Sequence, residues 1–331
     1  MTRNFGDRLT AAIREKKAAV CVGLDPLLER LPKALRPADS GRTSAPSPEP
    51  RGSARAEPNQ SRDREEAGAS AAALVAYGRG VINAVAPHVP AIKINIAFFE
   101  PFGPDGIAAY HELIAASHEA GLIVIGDVKR ADIGHTSAQY AKATLGGPGD
   151  DAAVADAVTV NPYFGWDGVG PFVDVARRTG RGVFVLVQTS NESAAQVQGL
   201  TLADGSTVCH SVARMVQEWA SAEGHVGSSG YSCIGAVVSP RDLESTIRVR
   251  ALMPNCIFLV PGFGAQGRTA DEAAKCFNSD GTGAIVAASR SVIYAYDEAK
   301  YRDRSADWQR CVGDACKEFV AAIRMVMPRT A

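Results

Sequence analysis

The chain has 331 residues, long enough for a barrel-sized α/β core. With 35 Lys and Arg against 36 Asp and Glu, the net charge is -1. No basic excess advertises nucleic-acid binding, and no apolar run approaches the ~18 residues needed to span a membrane. The N-terminal 17 residues are charged and lack the apolar core of a signal peptide. Seven cysteines are scattered with no C-x-x-C pair, which argues for buried thiols in a reducing, cytoplasmic setting.

Short β-rich apolar runs fall at 18–24, 91–99, 122–128, 157–160, 182–188, 233–238, 256–260 and 283–288. Each is read as a strand buried on both faces, because the runs are largely continuous in apolar residues. Helical patterns separate most of them. Val212, Met215, Val216 and Trp219 recur at helical spacing before the sixth strand, and Trp308, Cys311, Val312, Phe319 and Ile323 do so after the last. Eight strand–helix units in succession predict a closed (β/α)8 TIM barrel forming one domain over 1–331. The competing open, doubly wound sheet would bring a Gly-rich nucleotide turn after its first strand. The first strand here ends Val22-Gly23-Leu24-Asp25-Pro26, which is no such turn. Residues 38–70 contain no Val, Ile, Leu, Met or aromatic residue, and they are expected to form a disordered insertion.

Active sites of such barrels sit at the C-terminal strand ends. The run Asp127-Val128-Lys129-Arg130-Ala131-Asp132 closes the third strand. Strand alternation points Asp127 and Lys129 the same way. Two carboxylates and an ammonium within six positions cost several kcal/mol per ion if buried unpaired, so such a grouping points to chemistry. Lys93 on the second strand extends it to an alternating array in which each ion favours its neighbours' charged forms. A metal between Asp127 and Asp132 is disfavoured by the intervening Lys129. His135 is adjacent but receives no role. The seventh strand ends in Pro261-Gly262-Phe263-Gly264-Ala265-Gln266-Gly267 and the eighth in Ser289-Arg290-Ser291. Backbone N–H groups of a Gly-rich turn, with an Arg fork beside them, suit a phosphate.

Together these residues resemble the orotidine 5′-phosphate decarboxylases, in their type 2 bacterial branch. The resemblance rests on Asp127-x-Lys129-x-x-Asp132-Ile133 with Thr136, on the strand-one end, on Lys93 with Ala97-Phe98-Phe99-Glu100, on Thr189-Ser190-Asn191, and on the last two strand ends. It implies decarboxylation of orotidine 5′-monophosphate to UMP and CO2, the last step of de novo pyrimidine synthesis, without a cofactor. Lys129 would protonate C6, and Asp127 would face the departing carboxylate. Asp25 and Lys93 would hold the ribose hydroxyls, and Ser190 the pyrimidine edge. Gln266 and Arg290, with Pro261, Gly262 and Ser289 around them, would hold the phosphate. The family pattern also implies a homodimer in which Asp132, Ile133 and Thr136 complete the neighbour's site. Ile94 and Asn95 depart from the Pro and Gln often found in that branch, so Asn95 is given no catalytic role. The alternatives are a magnesium-dependent sugar-phosphate barrel, such as a hexulose-phosphate synthase or keto-gulonate phosphate decarboxylase, and a barrel that binds nucleotide without converting it.

Overall fold

The structure is a computed structural model that describes residues 3–37, 60–147, 153–264 and 267–328. Eight parallel strands close in chain order, β1 pairing with β8. They are β1 (Val20–Leu24), β2 (Ala91–Asn95), β3 (Ile123–Arg130), β4 (Ala157–Val160), β5 (Gly182–Gln188), β6 (Ile234–Val238), β7 (Phe258–Val260) and β8 (Ala284–Ala288). Every residue of β1, β4, β6, β7 and β8 is buried, as expected of strands packed on both faces. Around them run α1 (Phe5–Lys16), α2 (Gln60–Val85), α3 (Gly103–Glu119), α4 (Gly134–Leu145), α5 (Trp166–Thr179), α6 (Val208–Ala220), α7 (Leu243–Leu252), the short α8 (Ala270–Ala274) and α9 (Arg290–Ile293), and α10 (Trp308–Val326). Among the described residues no helix is long and apolar enough to cross a membrane.

Strand edges shift by one or two residues, and two boundaries differ from the sequence reading by more. The second strand stops at Asn95, whose side chain accepts a hydrogen bond from the Ala97 amide and turns the chain into a 3-10 segment. The interval 38–70 is not uniformly without structure. Residues 38–59 lie outside the described residues, but the chain is helical from Gln60 onward. Ala71, Leu74, Tyr77, Val81, Ile82 and Val85 of α2 are buried. Their packing nucleates the helix, and each residue added beyond it gains a backbone bond without a new nucleus. Arg64, Glu65, Glu66 and Ala67 are good helix formers, so the helix extends on the N-terminal side of its buried residues.

The N-terminal end of the barrel is closed by α1. Phe5 meets Phe184 edge-on with ring centroids 5.8 Å apart. Just before β4, Asp156 accepts from the Val124 amide at 2.8 Å, from His118 at 3.0 Å and from Arg8. Burial pushes its pKa up, but the His118 contact, the Arg8 charge and the Val124 amide outweigh this and lower it to about 2. A carboxylate depressed from 3.8 stabilises the fold above its unfolded pKa, and that contribution is lost as pH falls from about 4 towards 2. Asp156→Asn is therefore expected to lose about 2 kcal/mol at neutral pH. In denaturant titrations, the gap from the parent protein should narrow as pH drops through this window.

Candidate active site

At the opposite end, the C-terminal strand ends surround a cavity of about 260 Å3. Its charged wall is built from three neighbouring strands. The β1–β2 register sets Gly23 beside Lys93, and the β2–β3 register sets Asn95 beside Asp127. Lys93 and Asp127 are each 8% exposed. Lys93 Nζ lies 2.9 Å from Asp127 Oδ2 and 3.5 Å from Asp25 Oδ1. Lys129 Nζ lies 2.6 Å from Asp127 Oδ1. The order Asp25, Lys93, Asp127, Lys129 thus alternates in sign.

Burial works against both central charges. It lowers the Lys93 pKa, but Asp25 and Asp127 overcome it and hold the ammonium above the usual lysine value. It raises that of Asp127, but Lys93 and Lys129 hold the carboxyl well below the usual carboxylate range. Each ion is kept charged by its neighbours.

Lys129 reaches Asp127 by a route that strand alternation does not describe. Its φ is +43°, in the left-handed region that non-glycine residues rarely adopt. The β3–β4 register shifts between Gly126 and Arg130. At this irregularity the Lys129 amide donates to Thr159 Oγ1 at 3.0 Å, and that hydroxyl donates to Asp127 Oδ1 at 2.9 Å. One threonine therefore holds both the strained backbone and the buried carboxylate. Such strain costs on the order of 1–3 kcal/mol and persists only where its surroundings over-determine it. Thr159 was not singled out from the sequence. Its only signal was a lone hydroxyl in the buried strand Ala157–Val160.

The remaining assigned residues divide into two groups. Ser190, Pro261, Gly262, Ser289 and Arg290 line the cavity, as does Asn95, which had been given no role. Leu186, Val237, Leu259 and Ala287 give it an apolar floor. Gly262, Gly264 and Gly267 all have positive φ, which explains the glycines of this turn. Gln266 lies outside the described residues. Gly23 lets β1 approach β8, since a Cβ there would meet Ser289 Oγ at 1.8 Å. Asp132, Ile133 and Thr136 are not in the cavity wall. Asp132 accepts from the Ile133 amide at 2.8 Å, and Ile133 is 53% exposed. The single chain therefore gathers Lys93, Asp127 and Lys129 with Asp25, and leaves Asp132 outside the array.

Thr159→Val keeps the shape but removes both hydrogen bonds. Catalytic turnover should fall about tenfold or more, the equivalent of about 1.4 kcal/mol, with the fold retained. Turnover equal to that of the parent would show that the Lys129 backbone holds its position unaided.

Residues 18–303 match the Orotidine 5'-phosphate decarboxylase / HUMPS family. An orotidine 5'-phosphate decarboxylase of Rhodopirellula baltica is 39% identical over 312 residues, covering 93% of this chain and 95% of that protein. Its counterpart in Caldicellulosiruptor saccharolyticus is 35% identical over 305 residues, covering 91% and 92%. Among solved structures, the OMP decarboxylase of Leishmania donovani superposes with a TM-score of 0.68 at 28% identity, covering 98% of each chain. An extended family match and relatives similar along nearly their whole length agree with the barrel and its strand-end residues: the chain belongs to the orotidine 5′-phosphate decarboxylase family.

Proposed function

We propose that this site decarboxylates orotidine 5′-monophosphate to UMP and CO2, as the closing step of pyrimidine nucleotide synthesis. The observation that carries the reading is the buried carboxylate of Asp127 held between two ammonium groups, 2.9 and 2.6 Å away. The bond from C6 to the carboxylate breaks, its electron pair stays on C6, and CO2 departs past Asp127. The Lys129 ammonium stabilises the charge that develops at C6 and then gives its proton there. Fixed charges aimed at a developing anion beside an apolar floor are worth more than they are in water. No cofactor is needed as an electron sink. Both Asp127 oxygens are already taken by ammonium groups, which favours this chemistry over the magnesium-held enediolate of the sugar-phosphate barrels.

Asp25 and Lys93 hold the ribose hydroxyls, Ser190 meets the pyrimidine edge, and the Pro261–Gly262 turn, Gln266, Ser289 and Arg290 hold the phosphate. The phosphate lies away from the bond that breaks, but its binding energy helps to hold the charged wall in its reactive arrangement. A cytoplasmic setting fits the seven buried free thiols, of which Cys21, Cys256, Cys276 and Cys316 are pushed up to about 12 by burial.

A homodimer with shared sites fits the surface beside Asp132. Ile133, Tyr163, Phe164 and Trp166 are 53%, 82%, 48% and 42% exposed. They belong to neighbouring segments, since Ser137 Oγ donates to Gly168 O at 2.7 Å. Clustered exposed aromatics mark a contact surface. A second copy docked there would bring its Asp132, Ile133 and Thr136 to this chain's cavity.

The test is complementation. Asp127→Ala and Asp132→Ala proteins should each be nearly inactive on orotidine 5′-monophosphate. Mixed in equal amounts and re-associated, they should regain about a quarter of the native sites, because half the dimers are mixed and each has one intact site. Mixed dimers without recovered activity would contradict the shared site.

A further inference from the structure

Beside the charged wall, the turn that carries Asp25 is held by a residue that touches no part of the cavity. Asp25 Oδ1 is buried and makes no hydrogen bond, although Lys93 Nζ stands 3.5 Å away. Asp25 also lines the cavity, and its carboxylate can serve a ligand there only if the turn bearing it is fixed. Pro26 restricts that turn but has no N–H to anchor it. The polar backbone groups on either side are both met by one phenol: the Leu27 amide donates to Tyr294 Oη at 2.6 Å, and Tyr294 Oη donates to Asp25 O at 2.9 Å. The hydroxyl's donor and one acceptor site are thereby satisfied.

Tyr294 is itself held firmly. It is 1% exposed. Its ring stacks on Tyr77 with centroids 6.2 Å apart, and the Arg30 guanidinium lies 3.9 Å over it. Arg30 is in turn paired with Asp297 at 2.7 Å. The Tyr294 amide donates to Arg290 O at 3.2 Å across the single turn of α9. One rigid turn thus presents Arg290 to the cavity from its first residue and grips the Asp25 turn from the residue just past its end.

We propose that Tyr294 is a positioning residue that fixes the Asp25 carboxylate for the sugar hydroxyls of the substrate and ties its place to that of Arg290. This rests on the assignment of Asp25 and Arg290 to the ribose and phosphate of a nucleotide substrate. Tyr294 acts through the backbone on either side of Pro26, so its effect passes through Asp25.

The test is a double-mutant cycle on orotidine 5′-monophosphate turnover. Tyr294→Phe keeps the ring, its stacking and its place under Arg30, and removes only the two hydrogen bonds. It should lower kcat/KM about tenfold, and in the Asp25→Ala background the same change should have little further effect. The loss should also shrink for 2′-deoxyorotidine 5′-monophosphate if the 2′-hydroxyl is the group Asp25 receives. Tyr301→Phe serves as control, since it removes the hydroxyl of another buried tyrosine, bonded to Glu318 Oε1 at 3.1 Å and to neither α9 nor the Asp25 turn. It should lower the melting temperature while leaving kcat/KM near the parent value. Equal, additive losses in both backgrounds, or no loss from Tyr294→Phe, would overturn the proposal. Parent protein that fails to convert orotidine 5′-monophosphate would instead overturn the assignment of the substrate.

Discussion

The site depends on the carboxylate of Asp127 being buried between Lys93 and Lys129. Removing such an ion from water costs several kcal/mol, and the cost is met here only because two ammonium groups and one hydroxyl reach its oxygens. The barrel makes this affordable by rigidity. Lys93 comes from the middle of a hydrogen-bonded strand, and the register of β3 sets Asp127 beside Asn95, two residues further along that strand. Lys129 is added by a local departure from strand geometry, held by a hydroxyl from the next strand. The same carboxylate therefore explains the charge order, the unusual backbone at Lys129 and the threonine of β4.

The two ends of the barrel use charge differently. Asp156, at the N-terminal end, gathers Arg8, His118 and a backbone amide, all from the protein itself, so its role is to hold α1, α3 and β4 together. At the C-terminal end, Asp25, Lys93, Asp127 and Lys129 line a cavity. A network closed within the protein stabilises, whereas charges lining a cavity are placed to meet a ligand. This contrast locates the chemistry independently of any motif.

Much of the barrel was legible because buried strands leave plain marks: all eight apolar runs became strands, with edges differing by a few residues. The helix before β6 and the helix after β8 also followed their apolar spacing. The start of α2 was not legible, because residues 60–70 carry no apolar signal and their helicity depends on the buried half of the same helix. Lys93, Asp127 and Lys129 were legible as charges where apolar residues should stand. Thr159 and Tyr294 were not. A threonine suits any strand and a buried tyrosine any core, and only the hydrogen bonds of the folded chain show that one holds Lys129 and the other holds the Asp25 turn.

The most direct measurement of the central claim is the ultraviolet absorbance of orotidine 5′-monophosphate mixed with the purified protein and excess EDTA, alongside the Lys129→Ala variant. Steady loss of the substrate signal with UMP formed by the parent protein, and almost none by a folded Lys129→Ala variant, is the predicted result. Turnover that stops in EDTA, or a Lys129→Ala protein as active as its parent, would contradict catalysis by the Asp127–Lys129 charge array.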